Sequence, residues 1–219
     1  MSGARRANDG RTEAVVIPLI YGNTNTFLLG ERPCGKTGGG FLLIDTDWAG
    51  TLLAFYRSLG KAGAEVRDIR FVLATHFHPD HIGLIPDLMK QGVRLVLTET
   101  QKDAVHASDG IFAKDPRSRR VWEPIRESEA LILPFGESRA FLGELGLRGE
   151  IVPTPSHSPD SVSILMDDGD CFAGDLERRT YLSAYGEDAP VRRDWETILS
   201  HRPKPRRIHY AHGPAETLP

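Results

Sequence analysis

The order of apolar and polar positions predicts alternating strands and helices in the first half of the chain. Runs typical of strands occupy Val15 to Ile20, Thr26 to Leu29, Phe41 to Asp45, Ile69 to Ala74 and Val93 to Leu97. The last two runs are apolar without alternation, which indicates strands that are covered on both faces. We therefore expect a buried sheet to form early in the chain.

Helical spacing of apolar residues separates these strands. Trp48 to Leu59 is a predicted helix that ends at the glycines following it, and Leu84 to Met89 is a shorter one that ends at Gly92. Thr98 to His106 is a third predicted helix. Residues 107–129 are charged and show no clear period, so no element is predicted there.

Short apolar runs dominate the second half. The predicted strands are Leu131 to Leu133, Arg139 to Leu142, Ile151 to Val152, Val162 to Met166, Cys171 to Ala173 and Arg207 to Tyr210. A helix around Trp195 precedes the last of them. Residues 1–13 predict a flexible tail, and residues 14–219 contain no linker or repeat. The pattern predicts a single α/β domain in which two sheets form a sandwich with outer helices.

Composition narrows the class of protein. Of 219 residues, 40% are apolar and 26% are charged, which is enough for a globular core, and the net charge of −3 predicts no nucleic-acid partner. No apolar run could span a membrane, and the start lacks the apolar segment of a signal peptide. Two cysteines, Cys34 and Cys171, suit a reducing compartment, with Cys171 expected in the core. We therefore expect a cytoplasmic protein without membrane contact.

One glycine-containing segment matches a nucleotide-binding pattern. Gly30 to Thr37 satisfies G-x-x-x-x-G-K-T after a predicted strand. Such a loop needs a helix that begins at the Lys-Thr pair, so that its first amides face the phosphates. Gly38 to Gly40 follow instead, and each glycine costs a helix about 1 kcal/mol relative to alanine. The sequence favours a hairpin loop and leaves nucleotide binding as a weaker alternative.

Four potential metal ligands follow the buried strand that ends at Ala74. They are His76, His78, Asp80 and His81. In an extended turn, residues two apart point the same way, so His76 and His78 can bind one ion together, while Asp80 and His81 project toward a second. Imidazole and carboxylate ligands suit zinc, iron or manganese. A polar surface turn is the alternative, but it does not explain this density of ligands beside an apolar strand.

The His-x-His-x-Asp-His signature resembles that of the metallo-β-lactamase superfamily of binuclear metallohydrolases. Three further segments are similar to the family pattern: a turn at Thr154 to Ser161 that contains His157, the Gly174-Asp175 pair after a predicted strand, and the turn around His212 after the last strand. The resemblance covers roughly residues 14–214. It implies an αββα sandwich of two mixed β-sheets flanked by helices.

The resemblance also implies a ligand set for two divalent metal ions, with zinc expected and iron or manganese as alternatives. His76, His78 and His157 would hold one ion, Asp80, His81 and His212 the other, and Asp175 would bridge both. In such a site a water shared by two cations becomes hydroxide near neutral pH and attacks a substrate carbonyl. Asp80 would also act in catalysis by orienting the hydroxide.

The family likeness narrows the substrate to an ester, thioester or lactone. Asp175 argues against a dedicated β-lactamase, because those enzymes usually lack this aspartate. The few residues after His212 predict that the helical module of glyoxalase II-like thioesterases is absent. The predicted walls of the site are Tyr21 to Thr26, residues 107–129 and residues 176–191. A small-molecule substrate is expected, and an anionic one if the basic residues of the last two segments line the pocket.

Alternatives and secondary residues complete these expectations. The same superfamily contains iron-dependent oxidoreductases, so a persulfide dioxygenase-like activity is the main alternative to hydrolysis.

Thr75 is expected to hydrogen-bond behind the ligands, and His209 to pack or support them. His106, on a predicted helix, and His201, near a helix end, are expected to be surface or capping residues. Tyr181 and Tyr185 could donate a hydrogen bond to a carbonyl oxygen of the substrate or pack within their loop.

Overall fold

Eleven strands and six α-helices make up residues 14–31 and 40–219, the part of the chain that this computed structural model describes. The strands are β1 Val15–Leu19, β2 Thr26–Glu31, β3 Gly40–Ile44, β4 Ile69–Leu73, β5 Arg94–Thr98, β6 Leu131–Leu133, β7 Gly149–Pro153, β8 Val162–Met166, β9 Asp170–Phe172, β10 Arg207–His209 and β11 Glu216–Thr217. The helices are α1 Leu52–Lys61, α2 Pro79–Ile82, α3 Ile85–Met89, α4 Asp109–Lys114, α5 Ser138–Gly143 and α6 Pro190–Ser200. The predicted tail, residues 1–13, lies outside the described residues.

The strands form two mixed sheets. The first sheet has the order β1-β2-β3-β4-β5-β6, with antiparallel pairs up to β3 and parallel pairs from β3 to β6. The second has the order β11-β10-β9-β8-β7, in which only β9 and β10 are parallel. The β8 strand is tied to the first sheet at its start, because Val162 N donates to Thr75 O at 2.8 Å.

Side chains that alternate along the strands fill three apolar layers. On β3, Leu42 and Ile44 face the second sheet, whereas Phe41 and Leu43 face helices α1 and α3. The third layer lies between the second sheet and α6, where Trp195 packs against the sheet. Alternation with both faces covered explains why β3 reads as a continuous apolar run. The αββα sandwich of two mixed sheets is confirmed.

Two predicted elements are wrong. Arg139 to Leu142, predicted as a strand, belongs to helix α5, whose Phe141 and Leu142 are buried between the sheets. Four residues are too few to distinguish a strand from a helical turn by periodicity. The predicted helix over Thr98 to His106 is instead the end of β5 followed by turns and a short 3₁₀ segment at Lys102–Ala104.

The Gly30 to Thr37 segment connects two antiparallel strands. Glu31 at the end of β2 pairs with Gly40 at the start of β3, as in the predicted hairpin. Residues 32–39 lie outside the described residues. The Lys36-Thr37 pair, on which the phosphate-binding alternative depends, is among them, and the next described residue, Gly40, begins strand β3.

Candidate metal centre

All seven predicted ligands lie beyond strand ends at one edge of the sandwich, Asp80 and His81 in helix α2 and the other five in loops. His76, His78, Asp80 and His81 follow β4, and His157 follows β7. The other two, Asp175 and His212, follow β9 and β10. The structure brings these seven side chains together in two adjacent groups, whose donor atoms lie within 4.8 Å of one another inside each group.

The first group contains His76, His78, His157 and Asp175. His78 Nδ1 lies 2.9 Å from His76 Nε2 and 3.2 Å from His157 Nε2. Asp175 Oδ2 lies 3.8 Å from His76 Nε2 and 3.6 Å from His157 Nε2. Three imidazole nitrogens and one carboxylate oxygen therefore converge on one point.

The second group contains Asp80, His81 and His212. His212 Nε2 lies 3.2 Å from Asp80 Oδ2, and His81 Nε2 lies 3.8 Å from Asp80 Oδ1. Asp175 also reaches this group, because its Oδ1 lies 3.5 Å from His212 Nε2 and its Oδ2 lies 3.5 Å from His81 Nε2. Asp175 therefore stands between the two groups, in the place where a bridging ligand is expected.

The donor atoms fit cations better than they fit one another. Among the described residues, His81 Nε2 and Asp175 Oδ1 are buried and have no hydrogen-bond partner. Leaving a buried polar atom unpaired costs about 1–3 kcal/mol. Imidazole nitrogens that face each other across about 3 Å also need a proton or a cation between them. A divalent ion in each group would satisfy these atoms.

A buried acid behind the ligands sets the orientation of His81. Asp45, at the end of β3, is 1% exposed and adopts a φ of 57°. Its carboxylate accepts hydrogen bonds from Thr75 N at 2.6 Å and Thr75 Oγ1 at 2.9 Å. Its Oδ2 also lies 3.2 Å from His81 Nδ1. The Nδ1 proton of His81 is thereby held on the far side, which directs Nε2 toward the second group.

Burial and charge oppose each other in the electrostatics of the centre. Burial, together with the neighbouring histidines, lowers the pKa of His76, and burial also lowers the pKa of His157. Burial acts in the same direction on His81, but the carboxylates of Asp45 and Asp175 outweigh it and raise the pKa of His81 to about 10. Burial acts to raise the pKa of Asp175, but the neighbouring histidines, above all His81, lower it overall.

Side chains outside the two groups brace the loops of the first group. Asp160 Oδ2 accepts a hydrogen bond from Phe77 N at 2.7 Å, and Ser108 Oγ donates to Phe77 O at 2.6 Å. Both act on the residue between His76 and His78. Asp194, on α6, accepts from Ser156 N at 2.8 Å, next to His157. The residue before Asp175 must be glycine, because a Cβ at Gly174 would lie 2.5 Å from Thr75 Oγ1.

A cavity of about 460 Å³ opens beside both groups. Its wall includes His157, Asp175 and His212, so a molecule in it would reach the candidate centre. Most of the remaining wall comes from the predicted segment 176–191, which contributes Leu176, Glu177, Arg178, Tyr181, Tyr185 and Val191. Among the described residues that line this cavity, only the segment 176–191 represents the three predicted walls; residues 107–129 and Tyr21 to Thr26 do not line it.

Tyr185 and Arg178 are engaged within the protein. Tyr185 Oη donates to Glu177 Oε2 at 3.0 Å, so this hydroxyl has a partner in its own loop. The Arg178 guanidinium donates to main-chain carbonyls near His212. Tyr181 is 58% exposed at the cavity wall.

The other predicted residues take structural positions. Thr75 lies behind the ligands as predicted, in contact with Asp45. His209 stacks on Phe172 with ring centres 4.7 Å apart, which confirms a packing role, and Cys171 is buried in the core. His106 is on the surface as expected, but it lies in a turn before α4 rather than on a helix.

The prediction of His201 as a surface or capping residue is confirmed for the cap and wrong for the surface. This residue is the C-terminal cap of α6, but its side chain is buried. His201 Nδ1 lies 2.6 Å from Glu150 Oε1, and Nε2 lies 3.4 Å from Asp167 Oδ1. The buried ring of His201 is therefore held by contacts with two carboxylates. Sequence spacing gave no sign of these partners, because they lie in other elements of the fold.

The supporting acids Asp45, Asp160 and Asp194 were not predicted from the sequence. Asp45 carries a signal that could have found it, because it is an acid directly after a buried strand at the edge that also bears His76. Asp160 and Asp194 carry no comparable signal, because each acts on a main-chain amide that only the folded chain brings near.

No helix within residues 14–31 and 40–219 is long and apolar enough to cross a membrane.

Comparison with known proteins gives the family. The sequence profile of the metallo-beta-lactamase superfamily matches residues 20–212. The chain is 27% identical over 191 residues to the beta-lactamase-like protein 2 homolog of Drosophila melanogaster, covering 87% of this chain and 58% of that protein. It is 28% identical over 158 residues to the atrochrysone carboxyl ACP thioesterase of Aspergillus fumigatus, covering 69% of this chain and 29% of that protein. The chain thus spans less than two thirds of the length of these curated relatives.

A solved structure supports the same assignment at the level of the fold. A metallo-beta-lactamase family protein from Thermus thermophilus superposes with a TM-score of 0.65 at 22% identity, covering 93% of this chain and 74% of that one. The family profile covers most of the chain, from before β2 to the last predicted ligand. The chain belongs to the metallo-beta-lactamase superfamily.

Proposed function

We propose that this protein is a binuclear metal-dependent hydrolase that breaks the acyl C–O or C–S bond of a small-molecule ester, thioester or lactone by attack of water on the carbonyl carbon. The observation that carries the proposal is the convergence of seven imidazole and carboxylate side chains in two adjacent groups that share Asp175. His76, His78 and His157 would hold one ion, and Asp80, His81 and His212 the other. Imidazole and carboxylate ligands suit zinc, iron or manganese, and we propose zinc, with iron or manganese as alternatives.

Two divalent ions bound there would supply a Lewis acid for the substrate carbonyl and lower the pKa of water to about 7. The protein's own residues supply the rest. Asp80, whose side chain is 23% exposed, lies beside His212 in the second group, where its carboxylate can orient the attacking water and hold its proton. Asp45 keeps the Nδ1 proton of His81 away from the reacting side.

The cavity favours a substrate of small-molecule size. Pockets of about 300–1,000 Å³ typically hold such ligands, and this one has about 460 Å³. Tyr181 and Val191 offer apolar surface to the part of the substrate that does not react. The similarity to a carrier-protein thioesterase of Aspergillus fumigatus supports a thioester among the candidate substrates.

Metal analysis and a hydrolysis screen test the proposal together. The purified protein, offered zinc, is expected to bind two equivalents and to hydrolyse at least one of a set of lactones, thioesters, phosphoesters and β-lactams. A double variant, His76→Ala with His78→Ala, should lose metal and hydrolysis, whereas His106→Ala, a surface histidine, should keep both. Binding of less than one equivalent would refute the proposal. Oxygen consumption by the iron-loaded protein on a persulfide, without hydrolysis, would instead establish the oxidoreductase alternative.

A further inference from the structure

We infer that Asn25 and Arg178 are positioning residues that hold the His212 turn and thereby create the second ion-binding group. Neither side chain belongs to the ligand set. The inference rests on the proposed function, because it concerns ions that this function requires. According to this inference, Asn25 and Arg178 strengthen the binding of the second ion and do not affect the binding of the first.

Asn25 clamps the turn from one side. Its Nδ2 donates to Tyr210 O at 2.9 Å and to Gly213 O at 2.7 Å, the carbonyls on either side of His212. Its main-chain N donates to Ala211 O at 2.7 Å. Both partners of the side chain are carbonyls, which only accept, so the amide nitrogen must face them. One residue thus fixes three carbonyls of the turn that carries His212.

Arg178 clamps the same turn from the other side. Its Nη2 donates to His212 O at 3.2 Å and to Pro214 O at 2.9 Å. Its guanidinium carbon lies 4.2 Å from the centre of the Tyr210 ring, in the geometry of a cation–π contact. Together, Asn25 and Arg178 engage five consecutive carbonyls, from residue 210 to residue 214. Because these bonds run along the whole turn, the two residues define its path.

The turn that contains Asn25 also orients the ligands themselves. His212 Nδ1 lies 3.2 Å from Asn23 O, so its proton points there and Nε2 faces the second group. Thr24 Oγ1 donates to Asp80 O at 2.8 Å. This turn is itself anchored by the buried Asp47, whose Oδ2 accepts from the main-chain amides of Asn23 and Thr24. Two of the three ligands of the second group are therefore braced by one turn.

The first group depends on different supports. Asp160 and Ser108 hold the main chain between His76 and His78, and Asp194 holds the His157 loop. None of these contacts involves Asn25 or Arg178. Loss of either clamp should therefore displace His212 without moving the ligands of the first group, and it should weaken the second ion selectively.

The test compares variants of Asn25 and Arg178 with control variants of residues that carry the same kind of side chain. Asn25→Leu removes both side-chain bonds while keeping the branched shape of the side chain, and Arg178→Met removes the guanidinium. Arg178→Lys keeps a cationic donor within reach of the two carbonyls and serves as the conservative rescue. Gln91→Leu and Arg179→Met are the matched controls, because both side chains are exposed and the Gln91 amide bonds to Tyr56 and Asp87 O instead of the His212 turn. Zinc affinities of both sites are measured by competition with a chromophoric chelator, and folding by circular dichroism.

The affinities for the two zinc ions should respond differently to the substitutions. Asn25→Leu and Arg178→Met should weaken the second zinc ion by about 10–100-fold and leave the first unchanged, since contacts behind a ligand have effects of this size. Arg178→Lys should recover part of the loss, and both controls should match the wild type. If Asn25→Leu fails to fold, the two Arg178 variants make the same comparison.

The outcomes separate this inference from the proposed function. A wild type that binds two ions, together with clamp variants that retain both at unchanged affinity, would overturn the inference and leave the hydrolase proposal intact. Equal weakening of both ions would also overturn it, because it would indicate general loss of structure. A wild type that binds no ion would refute the proposed function, and the inference with it.

Discussion

Replacement of Asp45 by asparagine should reduce metal affinity without disturbing the backbone. Asp45 adopts a φ of 57°, a conformation that asparagine tolerates better than most residues, so the strand end should remain in place. The new amide can still accept the bond from Thr75 N, now at 2.6 Å. Its other end becomes a donor, where a carboxylate oxygen lies 3.2 Å from His81 Nδ1.

The consequence of this change reaches the second group through the tautomer of His81. Facing a donor, His81 Nδ1 must become the acceptor, and the ring proton moves to Nε2, the nitrogen that is directed at the ion. Loss of a carboxylate behind a metal-binding histidine typically lowers affinity by about 10–100-fold, which equals about 1.4–2.8 kcal/mol. The metal-free protein should also lose about 1.5–3 kcal/mol, the usual contribution of a hydrogen bond to a charged group.

Two measurements check this prediction. Zinc affinity is determined by chelator competition, and stability by urea unfolding of the metal-free protein. Asp103→Asn is the control, because Asp103 is exposed in the 3₁₀ segment at Lys102–Ala104 and also loses one charge. An Asp45→Asn protein with the affinity and stability of the wild type would show that Asp45 does not determine the orientation of His81.

Three further substitutions probe other parts of the structure. Gly174→Ala should cost about 1–3 kcal/mol in urea unfolding, because its φ is +56° and a Cβ would lie 2.5 Å from Thr75 Oγ1; unchanged stability would contradict this. His201→Leu should cost about 1.5–3 kcal/mol by loss of the buried contact with Glu150, with metal content unaffected, and a drop in metal content would disprove its independence from the centre. Tyr181→Ala should raise KM with stability within about 0.5 kcal/mol, since this residue is exposed at the cavity wall, and an unaltered KM would exclude it from substrate binding.

The sequence predicted the positions of the candidate ligands because their pattern is local and chemically dense. Three histidines and an acid stand within six residues after a buried strand, and such a pattern has few structural explanations. The sandwich of two sheets was also predictable, because most of the strands are short apolar runs. Edges of parallel strands then bring the loops to one side of the fold.

The supports of the centre could not be predicted in the same way. Asn25 acts on carbonyls 185 and 188 residues further along the chain, and any residue offers a carbonyl, so no side-chain pattern marks the partner. Arg178 was expected to act, if at all, on an anionic substrate, but its Nη2 bonds to the His212 turn. Helix α5 was mistaken for a strand because its buried Phe141 and Leu142 are adjacent, and adjacent apolar residues fit both structures.

Ligands for each group come from both halves of the chain. His76, His78, Asp80 and His81 extend from the first sheet, whereas His157, Asp175 and His212 extend from the second. An ion in either group would therefore link the first sheet to the second. Neither half of the sandwich could bind it tightly before the two halves had packed together. Tight metal binding would then indicate that folding is complete. Removal of the metal by a chelator would weaken the packing between the two sheets before either sheet unfolded.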